Sequence, residues 1–198
     1  GYVTWNLVEG ASTYSVYCKS VDGSYSKLDA ELVRNYGDYG RADVIGVKAG
    51  IYQFKIVPVD EEGTEMTGQA VESSTFEVKA HDRAGFAHFN YSGVGAYKDD
   101  GTLKDNAKVL YVTSKTAKTV TCPVVTDNKG KVETFTGLQT IIDARQKGYD
   151  TTPLVIRIIG LIEANDMDHF SSSAEGLQIK GKNANSEMNI TLEGVGND

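Results

Sequence analysis

Asp166-Met167-Asp168-His169 sets two carboxylates and an imidazole side by side, donor types that hold metal ions. Their spacing fits no standard site, and a polar loop accounts for them equally. His81 and His88 have no nucleophile placed beside them and read as interdomain hydrogen-bonding groups. Gly93-Val94-Gly95 is half of a dinucleotide fingerprint without its third glycine or its strand-to-helix setting, and reads as a tight turn. Asp127-Asn128-Lys129-Gly130 has the oxygen donors of a calcium loop but no terminal Glu, and reads as a hairpin turn. Tyr25, Tyr36 and Tyr39 could form an aromatic platform for sugar rings, or simply cover the edge of a sandwich. Asn90-Tyr91-Ser92 and Asn189-Ile190-Thr191 match glycosylation acceptors. The second falls in a strand pattern, and both read as chance matches. No catalytic, cofactor-binding or metal-ligating residue is assigned from these motifs.

The elements that would position such groups are strands. The chain has 198 residues, 21 of them Gly and only 3 Pro, with 11 Tyr and many Val, Ile and Thr. That bias favours a mainly β chain rich in turns, of one domain or two small ones. The net charge is −7, of which residues 1–80 carry −5 and residues 81–198 carry −2. This excludes the basic stripe of a nucleic-acid binder. No apolar run approaches the ~18–20 residues of a membrane span. The chain opens directly in strand pattern with no signal peptide, as a cytoplasmic protein or a mature or trimmed chain would. Cys18 and Cys122 make neither a disulfide framework nor a zinc site, and are expected free and partly buried.

Residues 1–79 read as short strands between turns, the grammar of a β-sandwich. Val3, Trp5 and Leu7 share a face. So do Tyr14, Val16 and Cys18, and so do Tyr52, Phe54 and Ile56. Trp5 and Tyr52 are expected buried, residues 29–43 to form a long connection, and Val44–Val47 and Ser74–Lys79 to be strands. Residues 80–92 read as an ordered linker, with Phe86 and Phe89 packed between domains. Residues 93–198 are expected to supply strands at Val109–Val112, Thr119–Val125, Leu154–Ile162, Leu177–Lys180 and Asn189–Glu193. The one helix falls at Phe135–Lys147, where Leu138, Ile141, Ile142 and Arg145 share a face and Gly148 is a C-cap.

Val3-Thr4-Trp5, Glu9-Gly10-Ala11 and Tyr14-Ser15-Val16-Tyr17, followed by Ala49-Gly50-Ile51-Tyr52, resemble a fibronectin type III module over about 79 residues. The resemblance implies that Trp5 fills a core and that the Tyr52 hydroxyl bonds back to backbone. Only four residues precede Trp5, so the strand before it is missing and an exposed edge is expected.

Residues 93–198 resemble the start of a pectate lyase of the first polysaccharide lyase family. The likeness runs through Gly93-Val94-Gly95-Ala96, Lys108–Thr113, the helix, Pro153–Gly160, Leu177–Gly181 and Asn189–Gly196. It implies the N-terminal cap and first rungs of a right-handed parallel β-helix. It also implies a secreted, periplasmic or cell-surface bacterial protein acting on polygalacturonate or pectin. In that family Ca²⁺ and its carboxylates acidify the uronate C5–H and an Arg removes the proton, on rungs whose motifs do not occur before Asp198. The alternatives are a non-catalytic glycan-binding or spacer module and another β-helix pectin enzyme such as an esterase. About two rungs stop short of the roughly three needed to cover each other, so the remainder of the β-helix, on the same or another chain, is an expected partner.

Overall fold

The computed structural model describes residues 1–80, 95–169, 176–179 and 188–196. Over these residues the chain is mainly β, with antiparallel sheets, one three-stranded parallel sheet and a single α-helix. It divides into two compact units, Gly1–Ala84 with Asp99–Thr102 and Gly85–Lys98 with Leu103–Asp198. The expected linker at 81–92, with His81, Phe86, His88 and Phe89, lies outside the described residues, as do Gly93, Val94 and the Asn90 sequon.

The first unit contains β1 (Tyr2–Asn6), β2 (Thr13–Ser20), β3 (Ser26–Lys27), β4 (Val33–Asn35), β5 (Tyr39–Asp43), β6 (Gly50–Val59), β7 (Val71–Glu72) and β8 (Phe76–Val78). One antiparallel sheet has the order β1-β5-β4. The other runs β3-β2-β6-β7, with β8 also on β6. Their facing residues close on one core: Val16, Cys18, Phe54 and Ile56 from the second sheet meet Ala42, Val3, Trp5 and Val33 from the first. Alternation on each strand produces this, since every second side chain points to the same face. The Tyr52 hydroxyl donates to Lys48 O at 2.9 Å, the return bond expected of it.

Residues 29–43 are not a connection but hold the hairpin β4–β5, with Tyr36 N donating to Tyr39 O. Its inward positions are Gly40 and Ala42, too small to register as an apolar pattern. They are small because the Trp5 indole lies over Gly40, where any Cβ would sit inside the ring. Val44–Val47 is irregular; Val44 N only extends the β1 ladder to Gly1 O. Trp5 and Tyr52 are half-buried rather than buried. The Trp5 strand, β1, pairs with β5 alone among the described strands and leaves its outer edge open. A cleft of about 300 Å³ beside it is lined by Val3, Trp5, Val8, Tyr14, Ile56 and Val71.

The second unit contains β9 (Lys108–Val112), β10 (Thr121–Val125), β11 (Val132–Thr136), α1 (Leu138–Arg145), β12 (Leu154–Ile159) and β13 (Ile190–Val195). β10 and β11 form the hairpin expected at Asp127–Gly130. β9, β12 and β13 lie side by side in chain order, all parallel and in register: Leu154 sits between Lys108 and Ile190, and Arg157 between Tyr111 and Glu193. Among the described residues this is the one parallel sheet, and no solenoid is formed. Leu154, Val155 and Ile156 are fully buried, as a central strand covered on both faces should be. Leu154 and Ile156 pack with Val112, Val124, Leu138, Ile141, Ile142 and Met167.

α1 is shorter than Phe135–Lys147. Phe135 belongs to β11, and the chain swings into the helix through Gly137 at φ +95°, a conformation that side chains with a Cβ resist. The Leu138, Ile141, Ile142 and Arg145 face is buried as expected. Leu177–Ile179, the described part of the Leu177–Lys180 segment, is not a strand. Its backbone groups are taken by a helix side chain instead. Gln178 N donates to Gln139 Oε1 at 3.1 Å, and Gln139 Nε2 donates to Gln178 O at 3.2 Å.

Candidate functional site

The side chains that converge most closely stand at the first turn of α1. Met167 is buried in the core and pins the segment that carries Asp168 against the helix. Asp168 Oδ1 then accepts Gln139 N at 3.0 Å. Its Oδ2 accepts Thr140 N at 3.0 Å and Thr140 Oγ1 at 2.7 Å. The two amide donors are helix-terminal N–H groups that have no partner within the helix. His169 lies between two carboxylates, with Nδ1 3.1 Å from Asp168 Oδ2 and Nε2 3.2 Å from Asp143 Oδ2. Asp166 turns away and accepts Glu163 N at 2.8 Å in its own capping box. The run read from sequence as a possible ligand set is therefore split between two caps. Among the described residues no three His, Cys, Asp or Glu side chains converge to hold a metal.

This geometry specifies a clasp, not a nucleophile and base. Thr140 Oγ1 is 3.4 Å from His169 Nδ1, but its proton goes to Asp168, and both imidazole nitrogens already face carboxylates. Burial works against the Asp168 charge. Donation from the Thr140 hydroxyl and the Gln139 and Thr140 amides outweighs it and holds the pKa below the usual carboxylate range. A carboxylate lowered in this way stabilises the fold above its unfolded pKa of about 3.9, and that stability is lost as pH falls through the native value. Asp168→Ala is expected to cost about 0.5–2 kcal/mol at pH 7, the range for a lost N-cap. The deficit should shrink below about pH 4, where the wild type loses the same cap by protonation. Urea midpoints at pH 7 and pH 3 measure both effects.

The tyrosines divide into two sets. Tyr36 and Tyr39 stack at 5.2 Å and 9°, beside Arg34, whose Nε donates to the Tyr36 hydroxyl at 3.1 Å. Tyr25 is apart from them, within 4.8 Å of Lys55 and 4.5 Å of Lys19. Asp127 Oδ1 accepts Lys129 N and Lys131 N, each at 2.9 Å, so its carboxylate closes the turn. Asn189 accepts Lys104 Nζ at 2.7 Å and donates to Thr151 O at 2.9 Å, which takes up both ends of its amide. Gly95 sits at φ +71° against the Thr191 hydroxyl, as a turn residue would. Cys18 and Cys122 are free and buried, and burial pushes both thiols above their usual pKa, Cys18 to about 11.

No known family, curated protein or solved structure matches the chain. Two groups escaped the sequence reading. Thr140 and Asp143 stand one turn apart on α1, a spacing that puts both beside His169. Arg157 interrupts an aliphatic strand yet is buried; its Nε is 2.9 Å from Glu193 Oε1 and its Nη1 donates to the Tyr111 hydroxyl at 2.8 Å. A cation inside an apolar run was the available signal, because a buried charge requires partners on neighbouring strands.

Proposed function

We propose that this chain is the N-terminal portion of a secreted polysaccharide lyase resembling pectate lyase, a fibronectin type III-like sandwich followed by the cap and first rungs of a right-handed parallel β-helix. The elimination on polygalacturonate or pectin is assigned to rungs that these residues do not supply. The observation that carries this reading is the β9-β12-β13 sheet. Successive passes of the chain lie next to each other, parallel and in register. That is how coils stack. Ile179 and Leu192 remain 43% exposed, and the outer side of β13 pairs with no described strand. A further coil would cover them.

The residues described do not fit the calcium ion of such lyases. Their closest carboxylates are committed to α1, His169 and turn amides, so no calcium-assisted step is assigned to them. The tyrosine-rich faces of the first unit favour the second reading, a glycan-binding or spacer module without activity of its own. Products formed from pectin by the polypeptide of the whole reading frame separate these readings. The lyase reading expects unsaturated ends that depend on Ca²⁺. Methanol without unsaturated ends overturns it for an esterase, and no product at all overturns it for a module.

A further inference from the structure

The outer face of the β3-β2-β6 sheet carries a ladder of alternating cations and rings. Lys19 Nζ lies 4.5 Å from the Tyr25 ring centre and Lys55 Nζ 4.8 Å from the same centre. Lys55 is also 4.6 Å from the Tyr17 ring, and Lys27 is 5.7 Å from it on the far side of the strand pair. Strand register builds this arrangement: Tyr17 is opposite Lys27 on β3 and Lys55 on β6. Three of the seven cations in residues 1–80 thus collect on one face of a unit that is acidic elsewhere.

Of the carboxylates near the ladder, only Glu65 makes an ion pair with it. Glu65 is bound to Lys27 at 3.2 Å and to the Tyr17 hydroxyl at 2.7 Å. Glu72 stands opposite Lys55 across the β6–β7 pair, and the Tyr25 hydroxyl donates to Gln53 Oε1 at 3.3 Å. Lys19 and Lys55 have no carboxylate in ion-pair contact among the described residues. Two ammonium groups outside ion-pair distance of a carboxylate therefore stand beside two half-exposed aromatic rings. Aromatic edges and faces suit sugar rings, and the ammonium groups suit an anion carried on the sugar.

We propose that this face, through Lys19, Lys55, Tyr17 and Tyr25, binds an acidic polysaccharide by its sugar carboxylates. The inference rests on the glycan reading above and deepens it by naming the surface and the charge of the sugar. A nucleic acid fits less well. Its charge density calls for a long basic stripe, and residues 1–80 carry −5.

Affinity electrophoresis of the full 198-residue chain through gels containing polygalacturonate, dextran or single-stranded DNA tests this. Polygalacturonate is expected to retard the chain, increasingly so at low salt, while dextran and DNA do not. The variant Lys19→Gln/Lys55→Gln is expected to bind polygalacturonate about three- to tenfold more weakly, the scale of two exposed charge contacts. Lys19→Arg/Lys55→Arg should bind like the wild type, which separates lost charge from disturbed packing. Retardation that the Gln variant leaves unchanged overturns the ladder while leaving the glycan reading intact. Equal retardation by dextran, or preference for DNA, overturns the acidic-sugar assignment. No retardation by either polysaccharide overturns the binding claim altogether, and the product analysis above then decides the lyase reading by itself.

Discussion

Arg145→Met is expected to lower the stability of the second unit by about 3–5 kcal/mol, the cost of stripping one partner from a buried ion pair. Arg145 and Asp150 are each only 1% exposed at the side chain, and Arg145 Nη1 stands 2.9 Å from Asp150 Oδ1. Nη2 donates to Thr152 O at 2.7 Å and Met188 O at 2.5 Å, tying the end of α1 to the start of β12 and to the approach to β13. Asp150 in turn accepts Val125 N at 3.0 Å and Thr152 N at 2.9 Å. Methionine fills much of the volume but leaves that carboxylate buried with only Lys108 Nζ, 3.7 Å away and partly exposed, as a cation. Against a typical domain stability of ~5–15 kcal/mol, the loss is large. The double variant Arg145→Met/Asp150→Asn removes both charges and should recover part of it. Urea unfolding followed by far-ultraviolet circular dichroism measures the three midpoints. A single variant as stable as the wild type would show that the pair does not hold the helix to the sheet.

Gly40→Ala is expected to disturb the first unit as sharply as one methyl group can. Gly40 is opposite Trp5 across the β1–β5 pair, and its missing Cβ is the space the indole occupies. Tyr14 also packs against the ring, edge-on at 5.1 Å. The indole must shift to admit the methyl group, at about the 1–3 kcal/mol typical of overpacking. Trp5 is the sole tryptophan, so its fluorescence reports this site without interference. A red-shifted emission and a lower urea midpoint are expected. An unchanged spectrum and midpoint would mean that the indole does not fill the space over Gly40.

The same two sites show how far the sequence was readable. Alternation at Val3 and Trp5, at Val16 and Cys18, and at Phe54 and Ile56 was visible because large apolar side chains line up every second residue. The β4–β5 hairpin was hidden because its inward residues are Gly40 and Ala42, whose smallness makes sense only once Trp5 is seen above them. The helix face was legible from its spacing, but not its start, since Phe135 fits a strand or a helix until Gly137 turns the chain. Leu177–Ile179 carries a strand pattern and fails as a strand, because Gln139 claims its backbone from a distant part of the chain. The acidic run at 166–169 could not be resolved by spacing. Its outcome depended on Met167 entering the core and on the free amides of α1, both of which are tertiary facts. The Lys–Tyr ladder was equally invisible, because it joins residues from three strands whose register no local pattern fixes.

The proposed role is that of a segment of an acidic-glycan lyase that does not itself carry the elimination. It is tested most directly by incubating the purified 198-residue chain with polygalacturonate and Ca²⁺ and following the ultraviolet absorbance of unsaturated uronate ends. The account predicts no increase above the substrate alone, with the polysaccharide nevertheless bound. A steady, Ca²⁺-dependent increase would contradict it, because the catalytic groups would then lie within these 198 residues.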